Sequence, residues 1–183
     1  MDTNYSINNY NLNFNGKLYK GSKKLAQSLG REAFENLTTK ASETHKDTVL
    51  RLDEIAGEYV LSAFNPKLGA GQVVHTAPSS KGAKLFNTEL CKVNSAKVDE
   101  SIVDAKIQDM KNYVSAYPLN KWEAKMMRKD AKELFKFQKR IKVYKPFWSD
   151  LKKIAAETEQ RAAMERLKRD TAIQIYKLSQ IKL

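Results

Sequence analysis

DTVLRLDEIAGEYVLSAF, residues 47–64, can be read as either of two structures, and the choice decides the architecture of the N-terminal half. Wound as a helix, it gathers Val49, Leu52, Ile55, Ala56, Tyr59, Val60 and Ala63 on one side, with Arg51, Glu54, Glu58 and Ser62 on the other. Extended, "TVLRLDEI" and "YVLSAF" become two strands rich in β-forming residues around Ala56-Gly57-Glu58. The helical reading is preferred, and it makes the chain mostly α: a short N-terminal β-hairpin plus helices, then three long C-terminal helices. The alternative is α+β, with a small antiparallel sheet in residues 10–76.

Upstream, "NLNFNGKLYK" alternates Leu12 and Phe14, turns at Asn15-Gly16 and resumes at Leu18, the pattern of a tight hairpin. Such a hairpin is only marginally stable alone, so its apolar face must rest on other elements. "SKKLAQSLGREAFENLTTKAS" follows, opening on the capping residue Ser22 and spacing Leu25, Leu29, Phe34 and Leu37 as a helix, with a break at Gly30.

Downstream, "NPKLGAGQVVHTAPSSKGA" (65–83) concentrates two prolines, three glycines and two adjacent serines. It reads as a loop with at most a short strand at "QVVHT". Beyond it, Pro118 and Pro146 are the only strong punctuation, and proline is tolerated in the first turn of a helix but not in its body. Three helices follow, at about 97–116, 119–143 and 146–181. The organisation expected is a small mixed hairpin and helix region at 1–64, a loop or hinge at 65–96, and a basic helical region at 97–183 with a long last helix.

The last helix is unusual. At 1.5 Å per residue, 36 residues reach about 54 Å, against a radius of gyration of about 16 Å for a compact chain of this length. Its apolar stripe also moves: Leu151, Ile154, Ala155, Thr158 and Ala162 share one side, and Met164 and Leu167 point almost opposite, with Ile175 and Leu178 near them. It must break, protrude or find a partner, and a helix touching two different surfaces along its length fits. An oligomer or larger assembly through residues 146–183 is one consequence.

Composition divides at the same place as the pattern. All seven glycines lie in the first 82 of the 183 residues. Residues 1–90 carry 11 basic and 9 acidic side chains, whereas 91–183 carry 22 and 12, so most of the net charge of +12 belongs to the second half. A charge of that size favours acidic partners and says nothing about fold.

Cys91 is the only cysteine, which leaves no internal disulfide and suits a reducing compartment. The N-terminus lacks a basic segment followed by an apolar run, and no stretch of about 18 apolar residues occurs. A cytoplasmic protein without a transmembrane segment is expected.

Catalytic patterns are sparse. His45 and His75 stand 30 residues apart and share no ligand spacing with each other or with Cys91, so no metal site is expected. Gly69-Ala70-Gly71 has neither of the glycine patterns that wrap phosphates. Ser79 and Ser80 lack the strand-elbow-helix context of a nucleophile. The acidic groups Asp53-Glu54-Glu58 and Asp99-Glu100-Asp104 read as solvated helix faces. No enzyme and no cofactor are expected.

What stands out is "KWEAKMMRKDAKELFKFQKRIK", residues 121–142. At 100° per residue, Lys121, Lys125, Arg128, Lys129, Lys132, Lys136, Lys139 and Arg140 fall within about 120° of arc. Met126, Met127, Ala131, Leu134, Phe135, Phe137 and Ile141 lie on the other side, which reads as the packed face. Repulsion among lysines four apart costs a few tenths of a kcal/mol per pair, and a polyanion relieves it. Between 121 and 145, lysines outnumber arginines eight to two, which favours phosphate contacts over base reading. The function expected is non-enzymatic binding of nucleic acid or another polyanion through this face. The alternative is an assembly protein that docks on an acidic protein partner through its long C-terminal helix.

Overall fold

The computed structural model describes residues 18–180. Two short helices, α1 (Lys20–Ser28) and α2 (Arg31–Glu43), precede three strands, β1 (Val49–Ile55), β2 (Glu58–Asn65) and β3 (Ala70–Pro78). A 3-10 turn at Ser79–Lys81 leads into α3 (Gly82–Lys92), then α4 (Ser95–Ala116), α5 (Lys121–Ile141) and α6 (Trp148–Ser179). The fold is mostly α with a small antiparallel sheet of order β1-β2-β3.

Residues 47–64 form a β-hairpin, not the preferred helix. Ala56 and Gly57 both hold positive φ, 51° and 79°, the geometry of a two-residue turn whose twist matches the flanking strands. Leu50 faces Ala63 and Leu52 faces Leu61 across the pair, and all four are buried. In the helical arrangement Ile55 would belong to the apolar side; in the hairpin it is exposed at the turn. Period-two burial on a shared core decided the outcome, because the sheet supplies β2 with partners on both sides.

The segment read as a loop at 65–83 carries the nine-residue strand β3, and α3 follows it at Gly82–Lys92, a helix the sequence reading did not anticipate. Only Ala70 and Ala77 of β3 are buried, so its apolar signal is faint beside its glycines and prolines. Gly71 is required by the close approach of β2: a Cβ there would lie 2.6 Å from the Ala63 carbonyl oxygen. Helix α3 buries only Phe86, Asn87 and Leu90, a short stripe easily missed.

The helix over 22–42 breaks at Gly30 as read, into α1 and α2, but α1 opens at Lys20, so Ser22 lies within it, buried, and is not its cap. The Asn15-Gly16 hairpin lies outside the described residues apart from Leu18, which makes a parallel bridge with Leu50. The Leu52 amide donates to the Ser22 hydroxyl at 2.8 Å, tying α1 to the sheet.

Helix α4 joins the two layers. Val98, Ile102 and Val103 are buried in its first half, where it packs on β2 and β3; Met110 and Val114 are buried in its second, where α5 and α6 pack. One apolar cluster therefore runs from Leu18 through Leu61 and Ile102 to Leu134 and Leu151. Asp99 is buried beneath it, contrary to the solvated face expected, and accepts from the His45 amide at 2.8 Å and the Thr48 hydroxyl at 2.6 Å. Asp53, Glu54 and Glu58 sit on strands and not on a helix.

Candidate nucleic-acid interface

Helix α5 owes its limits to its ends. Asn120 accepts from the Trp122 and Glu123 amides at 2.9 and 3.0 Å, and Glu123 accepts from the Asn120 amide at 2.9 Å, a complete capping box. The bond from the Asn120 amide, and then the Tyr113 hydroxyl at 2.9 Å, hold the Glu123 carboxyl below its ordinary value. At the other end Lys142 takes a left-handed conformation and the Val143 amide returns to the Gln138 carbonyl.

The buried side of α5 is Ala131, Leu134, Phe137 and Gln138. Buried Gln138 accepts from the Lys145 amide at 2.9 Å and donates to the Lys145 carbonyl, fixing the turn into α6. Lys145 in turn reaches Glu100 and Asp104 on α4 at 2.9 and 2.7 Å. Burial works against its charge, but the bonds to Asp104 and Glu100 outweigh it and raise its pKa above the ordinary lysine value. Phe135, expected in the core, is at the border: about a third of it is exposed and its ring lies 4.8 Å from that of buried Phe147. Met126 borders the other side of the packed arc and is similarly exposed.

All eight basic residues of the strip, Lys121, Lys125, Arg128, Lys129, Lys132, Lys136, Lys139 and Arg140, are exposed, on about 29 Å of one helix. Two have carboxylate partners. Lys136 pairs with Glu133 at 2.7 Å, a bond that pulls the Glu133 carboxyl below its usual value. Arg140 meets Asp47 at 2.9 Å. Among the described residues the other six have no ion pair.

Two exposed aromatics flank it. Trp122, about two-thirds exposed, lies at the edge of the basic arc, and Tyr144, three-quarters exposed, lies just past the helix end. The helical phase of Trp122, level with Arg140, pointed to its exposure, whereas Tyr144 lies past the helix end, where phase gives no guide. Trp148 is half-buried beneath Lys152.

Of the remaining chemistry-bearing residues, His45 lies against the packed side of α5, whereas His75 and Cys91 belong to β3 and α3. His45 stacks edge-on against Phe137 at 5.2 Å. His75 lies beside Phe86 in an open groove of about 370 Å³ between β3, α3 and α4, with Glu89, Lys92 and Lys97 nearby. Cys91 is exposed. Among the described residues no helix is long and apolar enough to cross a membrane.

No protein-family model matches the chain, and comparison with curated proteins and with solved structures finds no match.

Proposed function

We propose that the protein binds nucleic acid non-enzymatically, through the basic face of α5. The observation that carries this reading is the set of six exposed cations on α5, Lys121, Lys125, Arg128, Lys129, Lys132 and Lys139, that form no ion pair among the described residues, Lys129 alone lying near enough to Glu133 to help lower its carboxyl. Duplex DNA offers one phosphate per about 1.7 Å of axis, and a strip of this density gains from the release of condensed counterions. Lysine point charges position a backbone and do not read bases, so binding is expected to be salt-sensitive and weakly sequence-selective. Trp122 and Tyr144 add faces on which unpaired bases can stack.

The test is a titration of labelled duplex and single strands across ionic strength, repeated with Lys125, Arg128, Lys132 and Lys136 changed to glutamine. Binding at about 50 mM salt that weakens steeply as salt rises, and is lost in the variant, is the expected result. No binding at that salt, or equal binding by the variant, removes the proposal.

Docking on an acidic protein through α6 is the second reading, favoured by the exposure of residues 163–180. That stretch carries four basic and two acidic side chains, a much weaker field than the α5 strip.

A further inference from the structure

Helix α6 runs unbroken for 32 residues, about 48 Å, and only its first half is seated. Leu151 and Thr158 are buried against α4, and the Arg161 guanidinium reaches the Ser115 carbonyl at the end of that helix. From 163 to 180 every residue is exposed, including Met164, Leu167, Ile173, Ile175, Tyr176 and Leu178, each more than half open to solvent. These 17 helical residues and the Gln180 cap lack the tertiary packing that supplies most helix stability, so this end is suited to being covered.

We infer that residues 163–180 pair antiparallel with the same segment of a second copy of the chain. Met164, Leu167, Thr171, Gln174 and Leu178 follow the 3-4-3-4 spacing of a two-stranded seam, with Leu167 and Leu178 as its apolar layer and Ile173 and Tyr176 off it. At 100° per residue this seam lies on the side of α6 opposite Leu151, Ala155, Thr158 and Ala162, which is the side turned toward α4. It therefore points away from the body.

The sequence fits one register. With Leu167 opposite Leu178 of the second copy, Thr171 stands opposite Gln174, a polar pair able to fix alignment at the twofold axis. The same register sets Asp170 beside Lys177 of the second copy, twice by symmetry, because in an antiparallel pair the residues flanking the seam on one side meet each other. A parallel pair brings Asp170 beside Ile175 and leaves both charges unmatched. It also sets two strongly basic bodies side by side, whereas the antiparallel pair holds the two copies of Ala162 about 32 Å apart along the axis. Four to five turns make a small interface, so association is weak and concentration-dependent.

The experiment is sedimentation equilibrium on the full chain from micromolar to about 1 mM, with helix content followed by circular dichroism. A monomer–dimer equilibrium is expected. Leu167→Glu should weaken it by about tenfold or more without loss of helix content from the body, since Leu167 is 62% exposed and lies outside the apolar core of the single chain. Asp170→Lys and Lys177→Asp should each weaken it, and the two together should restore it. With Cys91→Ser as background, Asp170→Cys with Lys177→Cys should form an intermolecular disulfide, and Asp170→Cys alone should not. A chain that stays monomeric throughout, one that dimerises equally well as Leu167→Glu, or a charge swap that fails to restore association overturns the inference. So does a monomer whose 163–180 segment is protected only by anionic phospholipid vesicles.

Discussion

Arg140 on α5 donates to Asp47 in the loop before β1 at 2.9 Å, across 93 residues of sequence. Asp47 also holds Lys67 at 2.8 Å and lies 3.8 Å from His45, so a largely buried carboxylate gathers three cationic or titratable partners from three parts of the chain. Of the eight basic residues on the strip, Arg140 is thus the one tied to the sheet. The basic face is aimed, in part, by one of its own members.

Asp47→Asn should therefore cost more stability than Arg140→Gln. The first removes the shared negative charge from a site only 10% exposed and turns one of its two acceptor oxygens into a donor facing a cation, for about 1–2 kcal/mol. The second removes one half-exposed cation from an acceptor that keeps Lys67, for about 0.5–1 kcal/mol. Urea midpoints at neutral pH measure both, and equal losses would show that Asp47 is not the shared centre.

The same carboxylate sets a pH dependence. Burial alone would raise its pKa, but the Lys67 hydrogen bond and the charges of Lys67, His45 and Arg140 outweigh that and lower it. The native value thus lies below the unfolded one, about 3.9. The stabilisation is complete above the unfolded value and is lost as pH falls through the native one. Glu43, Glu89, Glu100, Glu123 and Glu133 act in the same direction. Asp47→Asn should flatten the acid limb of the stability curve without abolishing it. Lys145 has the opposite sign: its native pKa is raised, so its contribution holds below the unfolded lysine value of about 10.4 and fades as pH rises through the native one. Lys145→Met should flatten the alkaline limb, as read by urea midpoints between pH 9 and 11.

Ala56 and Lys142 are the described non-glycine residues with positive φ, 51° and 55°. A left-handed conformation costs most L-residues about 1–2 kcal/mol. Ala56→Asn, which creates the Asn-Gly turn, and Lys142→Gly should each raise stability by about 0.5–1 kcal/mol. Gly71→Ala should do the reverse, because the new methyl meets the Ala63 carbonyl backbone. Thermal unfolding of the three variants checks the signs.

The helices α4, α5 and α6 were legible because Pro118 and Pro146 delimit them and their apolar residues recur at helical spacing. The hairpin was not, because Val49, Leu52 and Ile55 fit a helical face while Leu50 and Leu52 fit a strand face. What separates the two is β3, whose pairing with β2 is non-local and whose own alternation is faint. The basic strip lay open to reading because exposure follows directly from its phase opposite Ala131 and Leu134. The link from Arg140 to Asp47, and the burial of Asp99 under Thr48, depend on contacts that no local pattern encodes.

Those contacts give the binding proposal an internal control. If α5 lies along a phosphate backbone, each free cation lost should lower the salt slope of log K by about 0.7–0.9. Lys125 has no carboxylate partner among the described residues, so Lys125→Gln should produce the full change with little effect on folding. Arg140 is already neutralised in part by Asp47, so Arg140→Gln should lower the slope by clearly less while reducing stability more. Measuring both variants by titration at four or five salt concentrations, alongside their urea midpoints, separates a phosphate-contacting residue from one that positions the helix. A larger slope change for Arg140→Gln than for Lys125→Gln would mean that the nucleic acid approaches from the Asp47 end and not along the strip.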